Sequence, residues 1–299
     1  MIINKKLLKD LESEAISIIR DSFSKSMNAV LMYSIGKDSS VLLHLARKAF
    51  YPSPIPFPLL HIDTKWKFQE MIQFRKKIEK KYNLKILTHT NQDGIKKKLN
   101  PFSNSSYYTD IMKTEALKQA LDLHKFDFVF GGARRDEEQS RSKERVVSVR
   151  EKNHTWDPKN QRPEIWNHFN GNLFKGEHFR VFPISNWTEI DIWNYIKKEN
   201  IQVPSIYFSH EREVVKRQNT WIPNSPFLQL QENEKLEKKR VRFRTLGDIT
   251  ITGGIESVVS NVDGVINELE KMVFSERGNR SDDKVSDNSM EERKKEGYF

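Results

Sequence analysis

Apolar residues along the chain follow two alternating rhythms. Leu8, Leu11, Ala15 and Ile18 recur at spacings of three and four, which predicts an amphipathic opening helix. The continuous run Ala29-Val30-Leu31-Met32-Tyr33 predicts a buried strand, and after the polar stretch Ser34 to Ser40 a helix is predicted over Val41 to Phe50. A proline-rich loop leads to a second strand, Pro58 to Ile62, then a helix from about Trp66 to Tyr82 and a third strand, Leu84 to Thr88. A helix over Thr109 to Leu123 and a fourth strand, Phe126 to Phe130, run into Gly131-Gly132. Apolar strands alternating with helices predict an α/β fold, a parallel sheet with helices on both faces. Ligands of such sheets sit outside the carboxyl ends of the strands, so one rim gathers Ser34 to Ser40, Asp63 to Lys67 and Gly131 to Arg145.

Past Arg145 the pattern changes. Residues 150 to 178 are rich in Trp, Asn, His and Pro and predict an ordered, partly irregular flap. Phe179 to Ile184 predicts a strand. Thr188-Glu189-Ile190-Asp191 is a helix-start signature, with Trp187 and Ile192 placed as a hydrophobic staple. Residues 229 to 244 are crowded with charge, and the tail Ser275 to Phe299 is either disordered or ordered only by a partner. The division expected is an α/β domain over 1–200 and an irregular C-terminal extension with a partner-binding tail over 201–299.

Composition narrows the chemistry. None of the 299 residues is cysteine, which excludes disulfides, thiolate metal sites and persulfide carriage. Eight histidines show no pair at zinc-ligand spacing, so no dedicated metal site is expected. No apolar run approaches the ~18 residues of a membrane span, and the polar start fits a cytoplasmic protein without a membrane partner. The formal charge of +10 suits anionic partners without separating nucleotide, nucleic acid and acidic protein.

Ser34-Ile35-Gly36-Lys37-Asp38-Ser39-Ser40 joins a strand to a helix, where unpaired backbone N–H groups and the helix dipole favour an anion. A Walker loop needs Lys followed directly by Ser or Thr, and here Asp38 follows Lys37. On the same rim, Arg134, Arg135, Arg141, Lys143 and Arg145 lie after Gly132 at the end of the fourth strand. The arginine fork matches phosphate or sulfate bidentately, although Glu137 and Arg141 also have the spacing of a helix-surface ion pair. His61 and Asp63 end the second strand, near where a nucleotide-binding α/β fold holds its nucleoside.

The phosphate loop resembles that of the N-type ATP pyrophosphatases, Ser-Gly-Gly-x-Asp-Ser/Thr, with Ile35 in place of one glycine. Together with Phe57 to Thr64, Gly132 to Glu138, Trp156 to Glu164, Arg180 to Glu189 and the ending Ser289 to Phe299, it makes the chain similar to the small-subunit family of bacterial sulfate adenylyltransferase. Two further departures are Lys65, where that family usually has Gly, and Asp248, where it usually has Cys. The resemblance implies an adenine nucleotide alpha hydrolase-like fold and transfer of AMP from ATP to sulfate. It implies Mg2+ arriving with ATP, and GTP used only by a GTPase large-subunit partner. Ser34, Gly36, Lys37, Asp38, Ser39, Ser40, His61, Asp63 and Gly132 are then the expected ATP contacts. Arg134, Arg141, Lys143 and Arg145 are expected at sulfate, with Lys37, Asp38, Arg134 and Arg135 catalytic and Arg242 and Arg244 as further candidates. Two other readings are a specialised or inactive relative acting on another oxyanion and a basic nucleic-acid-binding or scaffold module.

Overall fold

A computed structural model of the chain describes residues 5–102, 105–164, 170–217, 220–249, 251–271 and 296–297. The expected partner-binding tail, 275–299, lies outside the described residues apart from 296–297.

Six short strands form the central sheet: β1 (Ala29–Met32), β2 (Leu59–Ile62), β3 (Ile86–His89), β4 (Phe128–Phe130), β5 (Val147–Arg150) and β6 (His178–Val181), in the order β3-β2-β1-β4-β6-β5. All neighbours run parallel except β5, which pairs antiparallel with β6. The chain leaves β1 in one direction to build β2 and β3 and in the other to build β4. The carboxyl ends of β1 and β4 therefore mark the point where the topology reverses, the usual ligand position.

Strand residues alternate between the two faces, as a period of two requires. Leu31, Leu59, Phe128 and Phe130 join the larger core with Ala15, Leu42, Leu45, Ile78 and Ile192. Val30, Leu60 and Val129 face the other way, onto Leu117, Ala120 and Leu121 of the helix Ala116–His124. Helices therefore cover both faces, as the unbroken apolar runs predict. Among the described residues no helix is long and apolar enough to cross a membrane.

Several boundaries move. The helix expected from Val41 begins at Lys37, immediately after the glycine of the phosphate loop. The helix expected over 109–123 is composite, with a π-helical turn, Asp110–Glu115, between Ser105–Thr109 and Ala116–His124. The region after 200 is not irregular throughout. β7 (His210–Arg217), β8 (Thr220–Pro223), β9 (Glu237–Phe243) and β10 (Gly254–Glu256) close into an antiparallel barrel around Val214, Trp221 and Val241. The charge-crowded stretch supplies β9, whose outward Lys and Arg side chains mask the alternation of a strand.

Candidate active site

A cleft of about 220 Å³ opens at the carboxyl ends of β1, β2 and β4. Three of its walls are the rim loops expected from the sequence. The β1 loop contributes Ser34, Gly36, Lys37, Asp38 and Ser39, the end of β2 contributes His61 and Thr64, and the β4 loop contributes Gly132, Ala133, Glu137 and Arg141. Lys67, Lys113, Tyr207 and Thr245 to Gly247 complete the lining.

Helix Lys37–Phe50 points its first turn at the cleft, and no side chain caps it. The Lys37 N–H donates to the Tyr207 hydroxyl at 2.8 Å, which leaves the following amides of the turn to meet an anion. Ser34 Oγ donates to Ser39 Oγ at 3.2 Å, and Ser39 Oγ to the Gly36 carbonyl at 3.0 Å. Gly132 allows a close approach, because a Cβ there would stand 3.2 Å from the Asp38 carbonyl carbon and 3.3 Å from the Ser39 nitrogen, and the loop would have to give by a few tenths of an ångström. The end of β4 thus packs directly on the phosphate loop.

Charges in the loop are organised by a chain of ion pairs. Lys37 is buried, with its ammonium 3.1 Å from Asp38 and 3.9 Å from Glu189. Arg134 donates from Nε to Asp38 Oδ1 at 2.7 Å. Burial alone would raise the Asp38 pKa, but Lys37 and then Arg134 outweigh it and hold the carboxyl below its ordinary value. Arg244 grips Glu189 at 2.6 Å, so a residue of the C-terminal region braces the same chain of charges. His61 Nδ1 donates to the Tyr33 carbonyl at 2.8 Å, which leaves the lone pair on Nε2. Burial, with Lys67 adding to it, lowers its pKa to about 4, so the ring is neutral at physiological pH.

The expected site residues therefore separate. Ser34, Gly36, Lys37, Asp38, Ser39, His61, Gly132 and Arg141 meet at the cleft. Ser40 does not, because its side chain lines a separate cavity of about 20 Å³ with Tyr33 and Gln202 on the other side of the helix. Asp63 is taken up by its own turn, accepting from the Lys65 N–H at 2.9 Å and pairing with the Lys65 ammonium. Arg134 is buried behind Asp38 rather than lining the cleft. Arg135 donates to Asn186 at 2.6 Å and to the Glu144 carbonyl at 3.2 Å. Lys143 and Arg145 are exposed and outside the lining. Arg242 pairs with Glu268 at 3.0 Å, and Arg244 with Glu189, both away from the lining. The residues missed are Thr64, Lys67, Lys113, Tyr207 and the loop 245–247. Only Thr64 and Lys67, by their position on the predicted rim, carried any signal.

Among the described residues, no group of three or more His, Cys, Asp or Glu side chains could hold a metal ion. Asp38 and Glu137 are the carboxylates of the cleft lining, Asp38 paired with Lys37 and Arg134 and Glu137 with Arg141 at 2.7 Å.

Residues 28–254 match the phosphoadenosine phosphosulfate reductase domain family. Sulfate adenylyltransferase subunit 2 of Shewanella loihica is 55% identical over 98% of this chain and 98% of its own length. The protein of the same name from Aliivibrio fischeri is also 55% identical, over 98% of this chain and 97% of its own. The chain belongs to the sulfate adenylyltransferase subunit 2 family. Among solved structures, phosphoadenylyl-sulfate reductase from Candida auris, in a phosphate complex, aligns with 69% of this chain and 92% of its own at 15% identity and a TM-score of 0.47. FMN adenylyltransferase from Candida glabrata, in complex with ATP, aligns with 98% and 88% at 16% identity and a TM-score of 0.49.

Ile35 and Lys65 both have left-handed backbone, with φ of 71° and 66°. Each side chain occupies a conformation that costs a residue with a Cβ about 1–2 kcal/mol. Ile35 offsets that cost by full burial in the main core, whereas Lys65 is exposed.

Proposed function

We propose that this chain is the adenylyl-transferring subunit of a cytoplasmic sulfate adenylyltransferase, converting ATP and sulfate into adenosine 5′-phosphosulfate and pyrophosphate. The observation that carries the reading is the single cleft in which an uncapped helix N-terminus, Ser34, Ser39 and Asp38 stand beside further cations. The amides and hydroxyls of the loop cradle the β- and γ-phosphates, and Mg2+ enters as part of the ATP substrate. Neutral His61, with its lone pair on Nε2, accepts a hydrogen bond from a hydroxyl or amine of the nucleoside. A sulfate oxygen attacks the α-phosphorus, and the bond from that phosphorus to the bridging oxygen of pyrophosphate breaks. Sulfate is already a dianion, so no base is needed. The protein instead holds two repelling anions in line and offsets the charge that develops on the leaving pyrophosphate.

The relatives are second subunits of an enzyme, and in this reading the partner is a GTPase large subunit whose GTP hydrolysis drives the unfavourable anhydride. A pyrophosphate-release assay with ATP, with and without sulfate and the GTPase partner, tests the proposal. Release should depend on sulfate and fall at least ~100-fold in Asp38→Ala, in line with loss of a positioned charge at the reacting phosphates. Sulfate-independent release, or normal turnover in that variant, overturns it.

A further inference from the structure

The helix that follows the phosphate loop starts without a cap of its own. Gly36 stands at its N-cap position and brings no side chain to the amides of the first turn. A serine or aspartate there would accept from the second or third helical amide, here those of Asp38 and Ser39. The ladder of the helix begins only with the Ser40 N–H, which donates to the Gly36 carbonyl at 3.0 Å. The first helical amide is treated differently, because the Lys37 N–H donates at 2.8 Å to the hydroxyl of Tyr207, 170 residues away. Tyr207 ends the short 3₁₀ turn Ser205–Tyr207 and is 1 % exposed, although it lines the cleft. Its own N–H donates to the Pro204 carbonyl at 3.2 Å, and its ring stands edge-on to buried Trp193 with centroids 5.4 Å apart. The hydroxyl is therefore held on a packed arm from beyond the sheet. A side chain at position 36 would crowd it, since a Cβ there would lie 3.3 Å from the hydroxyl oxygen.

We propose that Tyr207 is a positioning residue for adenylyl transfer: its hydroxyl takes the Lys37 amide out of competition for the phosphate chain and leaves the amides of Asp38 and Ser39 as the pair that receives it. The proposal rests on the adenylyl-transfer reading and adds to it a residue outside the three rim loops. A helix start with several equivalent amides can seat a phosphate oxygen in more than one register. With the Lys37 amide engaged, one register is favoured, beside the Ser34 and Ser39 hydroxyls, which lie 3.2 Å apart. A slip of one residue would move the phosphate chain by about 1.5 Å along the helix axis. Such a slip spoils in-line attack on the α-phosphorus while leaving the charge attraction, and so ground-state binding, almost intact.

Steady-state kinetics of the complex with its GTPase partner test this. Tyr207→Phe keeps the ring against Trp193 and removes only the acceptor. It should lower kcat at least ~10-fold and leave the KM values for ATP and sulfate within ~3-fold, the pattern of an interaction realised in the transition state. An unchanged kcat, or a raised KM for ATP at constant kcat, would overturn the positioning role. Amide hydrogen exchange of the wild-type complex, resolved to single residues and corrected for intrinsic rates, needs no variant to fold. Without nucleotide, the Lys37 N–H should exchange at least ~10-fold more slowly than those of Asp38 and Ser39. With a non-cleavable α,β-methylene ATP bound, Asp38 and Ser39 should slow at least ~5-fold while Lys37 stays as it was. Equal exchange at all three amides, or new protection at Lys37 in place of Asp38 and Ser39, would overturn the proposal while leaving adenylyl transfer intact. Absence of sulfate-dependent turnover in the wild-type complex would remove the underlying reading itself.

Discussion

At the scale of single residues, what decides a role is the partner each charge finds. The arginine-rich stretch from 134 was the most conspicuous signal in the sequence, yet Arg134 is spent on Asp38 and Arg135 on Asn186. Lys67 and Lys113 attract no notice in a chain with 51 basic residues, because the carboxylate that organises them lies far along the sequence. The place of the loop Ser34 to Ser39 at the cleft was legible because its features are local, with glycine, hydroxyls and helix start adjacent. Ser40 falls outside the cleft lining because one further step around a helix turns a side chain by about a quarter of a circle. Lys65 offers a direct test of backbone strain. Lys65→Gly relieves a left-handed conformation worth about 1–2 kcal/mol, offset in part by the greater freedom of glycine in the unfolded chain and by the exposed pair with Asp63. We expect a net gain of about 0.5–1 kcal/mol, read as a melting temperature raised by about 1–3 °C. Lys65→Ala, which keeps the strain, should show no gain.

At the scale of elements, helix Glu189–Glu199 was readable in detail. Thr188 accepts from the Asp191 N–H at 3.1 Å while Asp191 accepts from the Thr188 N–H at 2.9 Å, a reciprocal cap. Trp187 and Ile192 are both buried, as the staple reading requires. The cap also has a remote role, since it fixes Glu189, which links Arg244 to Lys37. Thr188→Ala should cost about 1 kcal/mol and lower the melting temperature by about 2–4 °C. An unchanged melting curve would show that the staple alone sets the helix start. The π-helical turn that carries Lys113 left no trace in the sequence, because one widened turn barely disturbs a 3.6-residue rhythm over fifteen residues. The barrel was hidden for a different reason. With four short strands and a core of only a few side chains, its two longest strands carry charge at most of their positions.

Across the whole molecule, the histidines act together. His61 is held down to about 4 from its ordinary 6.5 by burial, with Lys67 second. His44, His154, His178 and His210 are shifted the same way, with burial the largest cause in each. Below pH 6.5 the unfolded chain takes up protons that the folded chain refuses. The stability from keeping these rings neutral is complete above that pH and is lost as pH falls toward 4, about 3 kcal/mol for His61 alone. Urea unfolding at pH 7.5 and pH 5 should show a midpoint clearly lower in acid, and an unchanged midpoint would mean that the rings protonate within the folded protein. The sheet, its two-faced covering and the cleft along its rim followed from the alternation of apolar strands and helices. That the C-terminal region supplies a wall of the same cleft did not, because contacts between distant stretches leave no local pattern.

The buried carboxylate at position 248 meets Thr64 across 184 residues of chain and Tyr108 across 140. During synthesis the nucleotide loop and both lysines therefore leave the ribosome long before the one group that sets them in register. A chain halted short of that point would present Lys67 and Lys113 without the carboxylate they share. The register of this wall is thus reserved for polypeptides translated past Asp248.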